Sequence, residues 1–146
     1  MATEPALAAL VAARLAATAG VPGTVGDAAD LSSARGGTLT FPAAFVIPLA
    51  EAAGPNALGA GAVEQRRTVR VGVVLAVRNL RARGGEALQG IEALRGAVDA
   101  ALLGWPPADR YDPLLFGSGK LVSMEDGVMW WQDEYLTAYL SRSAQA

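Results

Sequence analysis

Residues Val63–Val77 read VEQRRTVRVGVVLAV, and their period decides what the rest of the chain can be. Val63, Val69, Val71, Val73, Leu75 and Val77 fall on one side of a two-residue repeat, while Glu64, Arg66, Thr68, Arg70 and Gly72 fall on the other. Successive side chains of a strand point to opposite faces, so the pattern predicts a long strand with one face buried. The alternation lapses only at Gln65 and Arg67, so the N-terminal end of the strand is expected to project beyond the core.

Immediately upstream, Gly54–Arg67 reads GPNALGAGAVEQRR, which has the look of a phosphate-binding loop. Gly54 and Gly59 have the glycine spacing of GxxxxGK[ST], but Ala60 stands where the lysine is required and a strand follows instead of a helix. A dinucleotide fingerprint fails for the same reason, since its glycines must open a helix whose N-terminus meets the pyrophosphate. The segment from Glu51 to Ala62 is therefore expected to be a loop of about a dozen residues, an arm leading into the strand.

Working outward, Thr3-Glu4-Pro5 supplies the start signals of a helix over residues 4–18, with Leu7, Leu10, Val11, Leu15 and Thr18 at helical spacing and Gly20 as its stop. Residues 20–40 read as loop, with a short helical turn at Asp27–Ala34. Phe41–Leu49, FPAAFVIPL, predicts a short strand broken at Pro42 and Pro48, which cannot donate ladder hydrogen bonds. After Gly84-Gly85 a helix is expected over Glu86–Leu103. Its stripe is Ala87, Ile91, Leu94, Val98, Ala101 and Leu102, and Glu92, Arg95 and Asp99 are spaced for exposed ion pairs. Gly104 and Pro106-Pro107 end it. Pro113–Met124 predicts a strand with an irregularity at Gly117-Ser118-Gly119, Asp126-Gly127 a hairpin turn, and Val128–Leu140 the returning strand. The expectation is a single α+β domain over residues 1–146. Its mostly antiparallel sheet has about four strands, with two main helices packed on one face, in the order α-β-β-α-β-β.

Composition narrows the chemistry. The 146 residues contain no histidine and no cysteine. An imidazole base, a thiol nucleophile, a disulfide and the usual nitrogen and sulfur zinc ligands are all excluded. A formal net charge of −2 gives no general attraction to nucleic acid. Mean hydropathy is positive at +0.29, yet no uncharged run reaches the roughly 18 apolar residues of a membrane span without a Pro or Gly. The opening MATEPALAAL carries Glu4 and Pro5 where a secretory leader carries Lys or Arg, so no such leader is expected.

Three clusters remain. Arg66, Arg67, Arg70, Arg78, Arg81 and Arg83 crowd into residues 66–83, and with no interleaved aromatics they read as a solvated strand face or as partners for another subunit's carboxylates. Trp130-Trp131 lies in a strand, so one ring is expected in the core and the other facing outward toward an interface. Asp109, Asp112, Glu125, Asp126, Asp133 and Glu134 offer carboxylates, but Asp133 and Glu134 point to opposite faces and Glu125-Asp126 sits in a turn. Charged turns and a solvated edge are expected there, with no metal site, no cofactor and no catalytic residue.

Three stretches, FVIPLAEAAGPNALGAGAVEQRRTVRVGVVLAVRN, ALRGAVDAALLGWPP and VMWWQDEYLTAYL, together resemble the tail terminator proteins of long-tailed bacteriophages, over about Phe41 to Leu140. The resemblance implies a structural virion protein, with no active site to transfer. Such a subunit forms a hexameric ring, caps the tail tube, stops tube polymerisation and offers a joining surface to the head-completion (neck) proteins. It implies the neck-proximal end of the virion tail as its location, host cytoplasm during assembly, DNA merely passing through the ring lumen, and no membrane. Ring or tube contacts are expected from Pro55, Asn56, Leu58, Gly59, Gly61, Arg66, Arg67, Arg70 and Trp130. Another neck connector, a tail tube component and a carboxylate-dependent nuclease are the alternatives.

Overall fold

In the computed structural model, residues 6–21, 25–35, 41–78 and 85–143 are described. The elements follow the order α1 (Leu7–Ala16), β1 (Val25–Gly26), α2 (Ala28–Arg35), β2 (Ala43–Ala53), β3 (Glu64–Arg78), α3 (Gly85–Leu102), β4 (Leu115–Glu125) and β5 (Val128–Arg142). They build an α+β fold on one five-stranded sheet in the order β1-β2-β3-β5-β4, antiparallel except that β1 runs parallel to β2. The expected four strands and two main helices thus become five and three among the described residues. The proposed Thr3-Glu4-Pro5 cap, Gly84, Arg81 and Arg83 lie outside them, as does the side chain of Ala87.

The alternation that predicts β3 is real, and its odd-numbered residues face the helices. Val71, Val73, Leu75 and Val77 join Leu7, Val11 and Leu15 of α1 and Ile91, Leu94 and Val98 of α3 in the main core. Leu7, Val11 and Leu15 recur every four residues, which is why one side of α1 can be wholly covered. Each such aliphatic side chain, once fully buried, contributes about 1.5–3 kcal/mol. Arg14 Nε donates to Ala101 O at 3.0 Å and its guanidinium lies 4.9 Å from the Trp105 ring centre, fixing α1 to the end of α3.

One expectation needs correcting here, since β3 is buried on both faces from Val71 to Val77. Val74 and Ala76 point away from α1 and α3 into a second cluster with Ala43, Phe45 and Trp130, against which Leu31 of α2 packs. The short turn expected at Asp27–Ala34 is α2, and covering that second cluster is its work. Asp27 and Asp30 start it as a reciprocal box, each carboxylate accepting the other's backbone N–H at 2.9 Å. The Asp27 carboxyl is held below its ordinary value, first by the Asp30 N–H.

The strand expected at Phe41–Leu49 also runs further, through Ala53. A register shift between Pro48 and Ala50 absorbs the proline, after which Ala50 to Ala53 pair with Arg70 to Arg67. The Asp126-Gly127 hairpin is as expected, both residues having positive φ, 52° and 74°, as a two-residue primed turn requires. Two further irregularities fall in β4, between Phe116 and Ser118 and between Leu121 and Ser123, the first at the anticipated glycine-rich site.

Candidate functional site

The arm, residues 54–63, is organised around one side chain. Asn56 Oδ1 accepts from Leu58 N at 3.1 Å and Glu64 N at 2.8 Å, and Asn56 Nδ2 donates to Ala62 O at 2.9 Å. Gly54 N donates to Arg66 O at 2.9 Å, Ala57 N to Glu64 O at 2.8 Å, and Ser143 N to Val63 O at 2.9 Å, which ties the arm to the ends of β3 and β5. Ala60 and Gly61 take positive φ, 57° and 85°, so a glycine is needed at 61 while Ala60 carries some strain. The arm is therefore a shaped turn. Pro55, Gly59 and Leu58 lie on its exposed surface, Leu58 with 44% of its area accessible.

Behind the arm, the arginines find carboxylates within the chain. Arg66 pairs with Asp112, Arg67 with Glu51 at 3.8 Å, Arg70 with Glu134 at 2.9 Å, and Arg142 with Glu64. These pairs are largely exposed, so each contributes at most about 1 kcal/mol. Arg67 is held most loosely, and its buried Nε has no hydrogen-bond partner among the described residues. Tyr139 OH donates to Glu51 Oε1 at 2.9 Å; burial, then that bond, push the phenol above its ordinary value. Trp130 and Trp131 divide between the two faces as expected, yet both are packed. Trp130, only 8% exposed, stacks near Phe45 in the second cluster, and half-buried Trp131 lies against the main core.

The carboxylates also differ from expectation at one point. Asp133 belongs to no solvated edge; it is 1% exposed on an interior strand. Arg95 Nε donates to both its oxygens, at 3.1 and 3.0 Å, and Trp131 Nε1 donates to Oδ1 at 2.9 Å. The guanidinium lies 4.6 Å from the Trp131 ring centre and is held above its ordinary value, first by the Asp133 bond. Beside it Tyr135 OH donates to Asp99 at 2.9 Å, and burial followed by that bond raises the phenol far above its usual range. Among the described residues, Arg95 and Asp99 thus find their partners across on β5, in Asp133 and Tyr135, and not along the helix as spacing suggests. Both carboxylates of the cluster, Asp133 and Asp99, are met by donors. Among the described residues no three carboxylates converge to hold a metal.

A half-open cleft of about 400 Å³ lies over this cluster, between α3 and the sheet, lined by Glu92, Arg95, Asp99, Leu103, Phe116 and Asp133 among others. The cleft opens beside β4, an outermost strand of the sheet. Over its eleven residues β4 is exposed almost throughout, and Leu115, Phe116, Leu121, Val122 and Met124 are each between 38% and 57% accessible. An edge strand normally avoids such a display with charge, proline or shortness, and only Lys120 and Glu125 are charged here. The sequence showed the strand but not this exposure; the signal was five large apolar residues without alternation.

An exposed apolar edge and a surface arm shaped by Asn56 are features suited to docking, as in a structural protein. The phage tail terminator protein profile matches residues 1–145, and the chain belongs to that family. It is therefore a virion-associated structural tail protein. A solved chain from "Virion of native gene transfer agent (GTA) particle" is similar in fold, with a TM-score of 0.58 at 18% identity over 93% of this chain and 96% of the other. No curated protein matches the sequence.

Proposed function

We propose that copies of this chain close into a ring, six by the resemblance noted above, that caps the tail tube, halts its growth and presents a joining surface to the head-completion proteins. The observation that carries the reading is the unprotected apolar β4 edge on a chain of the tail terminator family. A ring is closed by heterologous contacts, which need two different patches on every subunit. β4 supplies one and the arm with the arginines behind it, Arg66, Arg67 and Arg70, supplies the other. Because those arginines hold exposed intrachain pairs of small worth, trading a partner for a neighbour's carboxylate costs little. Pro55, Asn56, Leu58, Gly59 and Gly61 then shape the contact, and Trp130 serves it indirectly by seating the β4–β5 hairpin on the second cluster. Assembly takes place in the host cytoplasm, the finished ring sits at the neck-proximal end of the tail, and DNA passes through its lumen without being read. Neither a cofactor nor a membrane takes part, and among the described residues no helix is long and apolar enough to cross a bilayer.

Imaging of purified tails with this chain labelled tests the placement. Label confined to one end of each tube is expected. Label spread along the tube would make the chain a tube subunit and remove the proposal.

A further inference from the structure

The sheet is staggered in a way that separates two apolar surfaces. β4 begins opposite Leu136, so the last residues of β5, the first of β3 and the last of β2 run past it into a protruding tip capped by the arm. On that tip Leu58, Val63 and Leu140 are 44%, 38% and 54% accessible. The flanking Arg66 and Arg142 side chains are 59% and 68% accessible. At the other margin, the cleft between α3 and β4 is rimmed by Leu103 and Phe116, with Leu121 further along the strand. Among the described residues that line it, the cleft carries the carboxylates of Glu92, Asp99 and Asp133 against the cation of Arg95. One surface protrudes and is apolar, flanked by arginines held only in exposed pairs with Asp112 and Glu64; the other is concave, apolar and acidic.

The tip cannot fill the cleft of its own chain. Tyr135 at the cleft and Leu140 at the tip are five residues apart on β5, about 17 Å along a strand, and an odd separation puts their side chains on opposite faces. We propose that the tip of one copy seats in the α3–β4 cleft of the next, Leu58 against Leu103 and Phe116, with its arginines facing Glu92. The contact is head-to-tail and rests on the ring reading above, for which it names the two mating surfaces.

The chain has no cysteine, so single-cysteine variants report one position each. Leu58→Cys and Leu103→Cys proteins, treated with a short bismaleimide separately and as an equal mixture, are compared with the mass of the parent measured by light scattering. The expected result is assembly of the parent, cross-linking in the mixture, little in either variant alone, and a ladder of multimers from the double variant. Leu58→Asp is expected to raise the concentration needed for assembly at least tenfold with unchanged circular dichroism. Assembly of the parent with no extra cross-linking in the mixture overturns the mating surfaces and leaves the ring intact. Cross-linking of each variant to itself shows a two-fold contact and overturns the head-to-tail arrangement. A parent that stays monomeric at every concentration and never cross-links, with or without isolated tail tubes, overturns the ring reading as well.

Discussion

Replacing Arg95 with leucine probes whether the buried polar cluster is a structural strut. Asp133 is 1% exposed and its oxygens are met by Arg95 Nε and Trp131 Nε1. The substitution removes the cation that meets Asp133 and, among the described residues, leaves a carboxylate in the interior with one side-chain donor. Breaking a buried pair from one side costs about 3–5 kcal/mol. The Arg95 side chain is 33% exposed at the mouth of a cleft that admits water, so screening brings the cost below that range, to about 2–3 kcal/mol. Urea unfolding followed by tryptophan fluorescence measures it, and with a slope of about 1–3 kcal/mol per molar the midpoint should fall by about 0.7–3 M. Arg95→Leu combined with Asp133→Leu should recover most of the loss, because an apolar pair removes the stranded charge. An Arg95→Leu protein within about 0.5 kcal/mol of the parent, the spread of ordinary surface changes, would refute the strut.

The other expectations can be checked on the same protein. Tyr135→Phe should flatten the alkaline limb of stability. Above about pH 10 an unfolded tyrosine ionises while folded Tyr135, raised by burial and Asp99, keeps its proton, so the unfolded state binds fewer protons and the parent loses up to about 1.4 kcal/mol per pH unit. Identical slopes in parent and variant would contradict this, and Tyr139, shifted in the same direction, accounts for a residual slope. Gly119→Ala should destabilise by about 1–3 kcal/mol in urea unfolding, since the added Cβ would lie 2.5 Å from Asp133 Oδ1 and 3.0 Å from Arg95 Nη2. Val71→Asp should abolish folding by circular dichroism, whereas Arg67→Glu should fold normally and assemble poorly by light scattering. If Arg67→Glu assembles like the parent, Arg67 has no part in the contact. DNA incubated with the protein and Mg²⁺ or Mn²⁺ should remain intact; cleavage lost in Asp112→Asn or Glu134→Gln would favour the nuclease alternative.

The sequence made the local signals plain wherever one residue type could do only one thing. Asp126-Gly127 fixed a hairpin because both residues accept positive φ, and the β3 alternation fixed a long strand because its odd positions meet two helices. Features that depend on another element were not legible. Pro48 looked like the end of β2, yet a bulge opposite Val71 and Arg70 carries the strand past it. The polar-looking side of β3 is buried at Val74 and Ala76 because Phe45 and Trp130 pack there with Leu31 of α2 against them, and β1, only two residues long, exists through its pairing with Ala44 and Phe45. Asp133 reads as a surface acid because only the fold brings Arg95 of α3 to it. The arm was recognised as a surface feature for its glycines, while the residue that shapes it is Asn56.

The central claim is that this chain works by closing upon copies of itself at the end of a tube. Native mass spectrometry of the purified protein, paired with electron microscopy of the same sample, tests it most directly. Six-fold rings at the mass of six chains, able to cap isolated tubes, are the predicted result; a particle of one chain that neither forms rings nor binds tube ends would contradict it.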